Sequence, residues 1–159
     1  MDIKIISGGQ TGVDMAALDA ALKIGFPIGG WCPKGRLNEA GTIPLIYPLR
    51  ETPSQDASQR TEWNVRDSDA TLIITPFPVV SNGTAYTLKM IEKHKKPFVI
   101  LNYDLLFPAS NLIFPLTQWL KNNQITTLNI AGPRESKMPG IYRNALNFLV
   151  IFFKHLKYV

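Results

Sequence analysis

The stretch Ile5-Ile6-Ser7-Gly8-Gly9-Gln10-Thr11-Gly12-Val13-Asp14 decides the fold. An apolar, β-branched run over 3–6 stops at two glycines. A helical pattern then begins at Val13 and continues through Ala16, Ala17, Ala20, Ala21 and Ile24. This reads as strand, tight turn and helix. The spacing Ser7-x-Gly9-x-x-Gly12 is a dinucleotide-type G-x-G-x-x-G with serine in first place. Glycine lets the backbone turn sharply and lets a ligand come close to it. The open N–H groups of a new helix, with the dipole behind them, favour an anion by about 0.3–2 kcal/mol for the charge contribution. Gln10 and Thr11 add side-chain donors. Ser7, Gly8, Gly9, Gln10, Thr11 and Gly12 are therefore candidate ligand contacts.

Working outward, Gly25-Phe26-Pro27 ends the first helix, and 28–32 reads as a second strand. In a dinucleotide-binding fold an acidic residue near the end of that strand grips a ribose. Here Lys34-Gly35-Arg36 occupies the place and Glu39 comes late, which argues against an ordinary NAD enzyme and leaves room for an extra phosphate. Residues 37–55 read as an irregular, functional or mobile connection. A helix is expected over 56–67 and a buried strand over 70–74. A second glycine junction, Ser81-Asn82-Gly83-Thr84, opens a helix over 84–94. A strand at 98–101, a helix at 111–122 and a strand at 126–130 follow. The third junction, Ala131-Gly132-Pro133-Arg134-Glu135-Ser136, precedes a helix over 140–155 that is apolar over most of its circumference and must be buried, either in the core or against another subunit.

Strands that are apolar on both faces and alternate with helices predict one α/β domain over 1–159, its mainly parallel sheet covered by helices on both faces. Ligands bind off the carboxyl ends of such strands. All three junctions follow strands, so all three are expected on one edge, with their amides open to an anion.

The net charge of +5 suits an anionic partner. No basic block with interleaved aromatics argues for nucleic acid. The longest apolar run, 148–153, is too short for a membrane span. The opening residues do not read as a signal peptide, so a cytoplasmic protein is expected. The single cysteine, Cys32, excludes an intramolecular disulfide, and His94 and His155 stand apart from any Cys/His cluster, so no metal site is expected. Neither a P-loop nor a G-x-S-x-G elbow is present. Asp14, Glu135, Asp67 and Asp69 are the carboxylates near the expected site. Arg134 and Arg60 offer guanidinium geometry to an oxyanion. Trp31, Trp63 and Tyr86 are available to stack on a ring.

Four blocks carry a family resemblance: Ser7 through Asp14, Gly29-Gly30-Trp31-Cys32-Pro33-Lys34-Gly35-Arg36, Arg60-Thr61-Glu62-Trp63-Asn64-Val65-Arg66-Asp67-Ser68-Asp69, and Ala131 through Ser136. They resemble the putative molybdenum carrier family, also described as the circularly permuted YpsA branch of the SLOG superfamily of Rossmann-like ligand binders. The resemblance implies a three-layer Rossmann-like fold. It also implies a binding or carrier protein for a phosphorylated ligand, either a molybdenum cofactor of the molybdopterin type or a nucleotide, and a homo-oligomer. The site it implies draws on the first junction, on Lys34, Gly35 and Arg36, on Asn82, Gly83 and Thr84, and on Gly132, Arg134, Glu135 and Ser136. No catalytic residue is implied. The alternative is a nucleotide-processing hydrolase related to the LOG-type phosphoribohydrolases. Their catalytic glutamate, aligned on Gly83-Thr84, falls at Thr87. Family members usually carry arginine after the Val-Asp pair, where this chain has Met15.

Overall fold

The computed structural model describes residues 1–79 and 81–159. Strand β1 (Lys4–Ile6) leads through the first glycine turn into α1 (Val13–Ile24), which Gly25 ends in the left-handed conformation (φ 88°). Next come β2 (Ile28–Gly29), β3 (Trp31–Cys32), β4 (Leu37–Asn38), β5 (Gly41–Thr42) and β6 (Arg50–Glu51). They are followed by α2 (Ala57–Arg66), β7 (Ala70–Thr75), α3 (Asn82–His94) and β8 (Phe98–Asn102). The chain closes with α4 (Ser110–Asn122), β9 (Thr127–Ala131) and α5 (Ile141–Lys157).

The central sheet has the order β2-β1-β9-β7-β8, and every neighbouring pair is parallel. Side chains alternate across it, as strand geometry requires. Leu72 and Ile74 of β7 join the core beneath α1, α4 and α5. Ile73 turns the other way, to Val65 of α2 and Met90 and Ile91 of α3. The result is a three-layer Rossmann-like sandwich with helices on both faces of a parallel sheet.

Most of the apolar circumference of α5 is spent inside this chain, while Ile151 stays exposed. Phe148, Phe152 and Phe153 are fully buried, and Phe153 meets Phe26 edge-on with centroids 5.8 Å apart. The small side chains Ala16, Ala17, Ala20 and Ala21 of α1 belong to the same core. Each buried phenylalanine stabilises the fold by about 1.5–3 kcal/mol. No helix among the described residues is long and apolar enough to cross a membrane.

Two expectations are corrected. The strand read over 28–32 is two strands: β2 stays in the central sheet, and β3 leaves it to pair with β6. Gly30 makes the break at φ 124°, where a side chain would crowd Ser7 N at 2.9 Å and Asn64 Oδ1 at 3.0 Å. Asn64 then acts as a strand partner for Trp31: it accepts from the Trp31 N–H (2.8 Å) and donates to the Trp31 carbonyl (3.0 Å). The connection at 37–55 is not wholly irregular either. It holds the antiparallel pair β4–β5 as well as β6.

Candidate functional site

Because β1, β7 and β9 run parallel, the three glycine junctions emerge at the same edge of the sheet. They surround one cavity of about 410 Å³, within the range of about 300–1,000 Å³ usual for small-molecule sites. Gly8, Gln10 and Asp14 form one wall and Arg60, Thr61 and Asn64 of α2 a second. Ser81, Asn82, Gly83, Tyr86 and Thr87 at the start of α3 form the third. Asn129 and Gly132 close the end near β9, with Arg134 and Lys137 beside them.

The junctions converge, but they do not offer their amides equally. At the first, the protein's own oxygens take most of them. Gln10 N–H donates to Asp14 Oδ2 (3.2 Å) and Thr11 N–H to Gln10 Oε1 (3.0 Å). Val13 N–H donates to the Pro133 carbonyl (3.3 Å). At the third, Glu135 takes the start of α5, accepting from Gly140 N–H (2.6 Å) and Tyr142 N–H (2.9 Å). At the second, the Ser81 side chain caps Thr84 N–H (3.0 Å). No acceptor among the described residues meets the N–H of Asn82 or Gly83 at hydrogen-bond distance. The junctions are therefore not equally open: the first is largely closed by the protein's own oxygens, and the start of α3 is the least satisfied of the three helix starts.

Asp14 is buried and lines the cavity. Burial pushes its carboxyl up to about 6, against the pull of the nearby Arg60 charge and the Gln10 and Gly8 amides. Arg60, also buried, lies across Gly8. Its Nη1 donates to the Gly8 carbonyl (2.7 Å) and its Nε to Thr61 Oγ1 (3.3 Å).

Several expected contacts stand outside the cavity wall. Arg36 is spent on the backbone: its guanidinium donates to the carbonyls of Ile43 (3.3 Å), Leu49 (2.8 Å), Pro44 (3.0 Å) and Tyr47 (2.9 Å). Lys34 and Gly35 accompany it in that loop, and Gly35 N–H donates to Glu51 Oε1 (2.7 Å). Ser7 is fully buried, its N–H bonded to the Gly29 carbonyl at 3.2 Å. A side chain at Gly9 would point at Leu49 and Ile43, away from the cavity. Gly12 (φ 78°) packs against the Pro133 carbonyl, and a Cβ at this position would lie 2.8 Å from Glu135 N. Thr84 is buried beside its cap. Thr11 and Ser136 both donate their hydroxyls to Glu39. Burial raises the Glu39 carboxyl, and the hydrogen bonds of Ser136 and Thr11 outweigh it, so the net shift is downward. Trp31 and Trp63 stack edge-on with each other at 4.8 Å; of the three aromatics, Tyr86 lines the cavity.

Among the cavity-lining residues missed from sequence are Thr61, Asn64, Ser81, Asn129 and Lys137. Two signals mark some of them. Positions 57, 60, 61 and 64 share one helical face, and Asn129 is a buried polar residue in an otherwise apolar strand.

The family model for the circularly permutated YpsA SLOG family matches residues 5–153. The chain belongs to this family. It is also similar to the putative molybdenum carrier protein from Syntrophus aciditrophicus SB, with 46% sequence identity. The crystal structure of that protein matches with a TM-score of 0.88, over 95% of this chain and 94% of that one. No curated protein matches the chain. Within this SLOG fold, Met15 packs against the apolar group of Leu18, Cys32, Ile43 and Leu49, and is not among the cavity's lining residues.

Proposed function

We propose that the chain binds and carries a phosphorylated small molecule, either a pterin-type cofactor such as molybdopterin or a nucleotide, in the cavity at the carboxyl edge of the sheet. The observation that supports this reading is the start of α3, where Asn82 and Gly83 line the cavity with Arg134 and Lys137 and no acceptor among the described residues meets their N–H groups. A phosphate there meets aligned amides and the positive end of a helix. Membership of the SLOG family and the printed name of the Syntrophus protein support a carrier. A pterin phosphate fits the polar donor set at α3. Cys32 is buried in a separate apolar group, so the protein brings no sulfur ligand to this cavity. A cytoplasmic, homo-oligomeric protein is part of the same proposal. Leu105, Phe107 and Phe114 are exposed apolar side chains available to a second copy, and sedimentation at several concentrations tests that part.

A nucleotide-processing hydrolase is the second reading, and buried Asp14 at the cavity is what favours it. Glu135 is a poor candidate for acid or base, because both of its oxygens are bonded to the start of α5. Thr87 stands at the position of the LOG-type glutamate and donates its hydroxyl to the Gly83 carbonyl (3.1 Å). Native mass spectrometry of freshly purified protein, followed by calorimetry with nucleotide and pterin phosphates, tests the carrier. Stoichiometric binding without turnover is the expected result; no binding of any phosphate overturns it. Release of free base or phosphate that disappears in Asp14→Asn establishes the hydrolase instead.

A further inference from the structure

The cavity is chemically two-sided. The start of α3 offers the N–H groups of Asn82 and Gly83, and the segment after β9 offers the cations Arg134 and Lys137. The start of α1 offers an acceptor. Asp14 is more than nine-tenths buried and lines the cavity. Its Oδ2 accepts from Gln10 N–H (3.2 Å) and the Gly8 amide also draws on the carboxylate, but no side chain among the described residues donates to it at hydrogen-bond distance. Two backbone amides leave the carboxylate with acceptor capacity to spare at a residue that lines the cavity. A simple anion would use only the donors. A carboxylate kept buried at the start of α1 is costly unless that capacity is met.

We propose that Asp14 is the specificity-determining residue of the cavity, accepting a hydrogen bond from an N–H or O–H group on the non-phosphate part of the guest. This rests on the carrier reading and narrows it: the guest is a phosphomonoester whose body carries polar donors, and a bare phosphate or an apolar ester is a poor fit. The charged groups that share the cavity with Asp14 are Arg60 on α2, and Arg134 and Lys137 after β9. α3 adds the phenol of Tyr86. The Coulombic influence on Asp14 comes from Arg60.

Calorimetry on the full chain and on Asp14→Asn, at pH 8 and pH 5, tests the proposal with three probes. Inorganic phosphate reports the donors alone. Ribose 5-phosphate adds hydroxyl donors, and guanosine monophosphate adds ring N–H donors. At pH 8 the wild-type chain is expected to bind at least one of the two esters about ten-fold or more tightly than inorganic phosphate. Asp14→Asn is expected to lose that preference while holding inorganic phosphate within about three-fold. The wild-type preference also shrinks at pH 5, where Asp14 is protonated, and the variant shows no such change. Which ester gains identifies the donor as sugar or ring. Esters that bind no better than phosphate, or a preference that survives in Asp14→Asn, overturn the proposal and leave the carrier reading standing. Failure of the wild-type chain to bind inorganic phosphate or either ester overturns both. A denaturation curve for Asp14→Asn shows that the variant is folded.

Discussion

The starts of α1 and α3 look alike in sequence, each a strand, a glycine-bearing turn and a helix, yet they are finished differently. The turn before α1 is closed by Asp14, whose carboxylate sits in the first turn of the helix and reaches back to Gln10 N–H. The turn before α3 has a neutral cap, Ser81, which serves Thr84 and leaves Asn82 and Gly83 open. A helix start left unsatisfied at a cavity is a place for a guest; one satisfied by its own carboxylate is a structural joint with an acceptor facing inward. The glycine spacing therefore locates the ligand edge of the fold but does not say which turn holds the anion. The first carboxylate of the helix says that.

The largest expected effect lies at the closed turn. Gly12 sits at φ 78° and ψ −130°, a region that only glycine populates freely. A Cβ there would also run into the Pro133 carbonyl and lie 2.8 Å from Glu135 N. Gly12→Asp is expected to cost about 3 kcal/mol or more of folding stability in urea denaturation. An ordinary unfolding midpoint for this variant would break the distinction between joint and binding turn.

Asp14→Asn comes next, and its sign depends on pH. The Asp14 carboxyl is raised from 3.8 to about 6. The folded state therefore holds a proton that the unfolded state has given up between those values. Its contribution to stability is fully present below about pH 4 and is lost as pH rises through 6. Two pKa units correspond to about 3 kcal/mol. At pH 8 the asparagine variant is expected to be more stable than the parent by up to that amount, with the gap closing by pH 4. A gap of the same size at both pH values would show that the carboxylate is not held at a cost, and that the acceptor wall is ordinary packing.

The layers of the fold were legible because periodicity reports burial directly. The two-sided apolar strand at 70–74 and the alternating helices required a covered parallel sheet, and Phe148, Phe152 and Phe153 required a core to enter. The edge that carries the cavity followed from the parallel strands. Less legible was how each polar group is spent, because that depends on residues distant in sequence. Arg36 looked like a phosphate contact, yet the fold 36–51 wraps four carbonyls around it. Glu39 looked like a loop residue, yet it ties Thr11 to Ser136, the latter 97 positions away. Gly30 looked like part of a strand, and only contact with Ser7 and Asn64 shows why the strand breaks there.

Arg36→Ala sharpens the same contrast between structural and ligand-facing donors. Losing a guanidinium that serves four carbonyls is expected to cost about 2 kcal/mol of stability. Phosphate affinity should stay unchanged, because Arg36 is not among the residues lining the cavity. A ten-fold fall in affinity with no loss of stability would return Arg36 to the ligand.

The smallest expected change in stability is at Gly83, and it is the most telling. A Cβ at Gly83 meets nothing nearer than Ser81 Oγ at 3.9 Å, and the backbone there is already helical. Gly83→Asp gives α3 what α1 already has, a carboxylate in the first turn. Such a charge favours the helix dipole by about 0.3–1 kcal/mol, so the stability of the ligand-free protein should hold or rise slightly. The same charge then occupies the space where a phosphate would sit, so phosphate affinity is expected to fall at least ten-fold. A thermal scan with and without phosphate ester reads both quantities: the ligand-free midpoint stays, and the ligand-induced rise disappears. If the ligand-induced rise survives, the anion is held elsewhere, and the open turn at α3 is not what distinguishes it from the closed turn at α1.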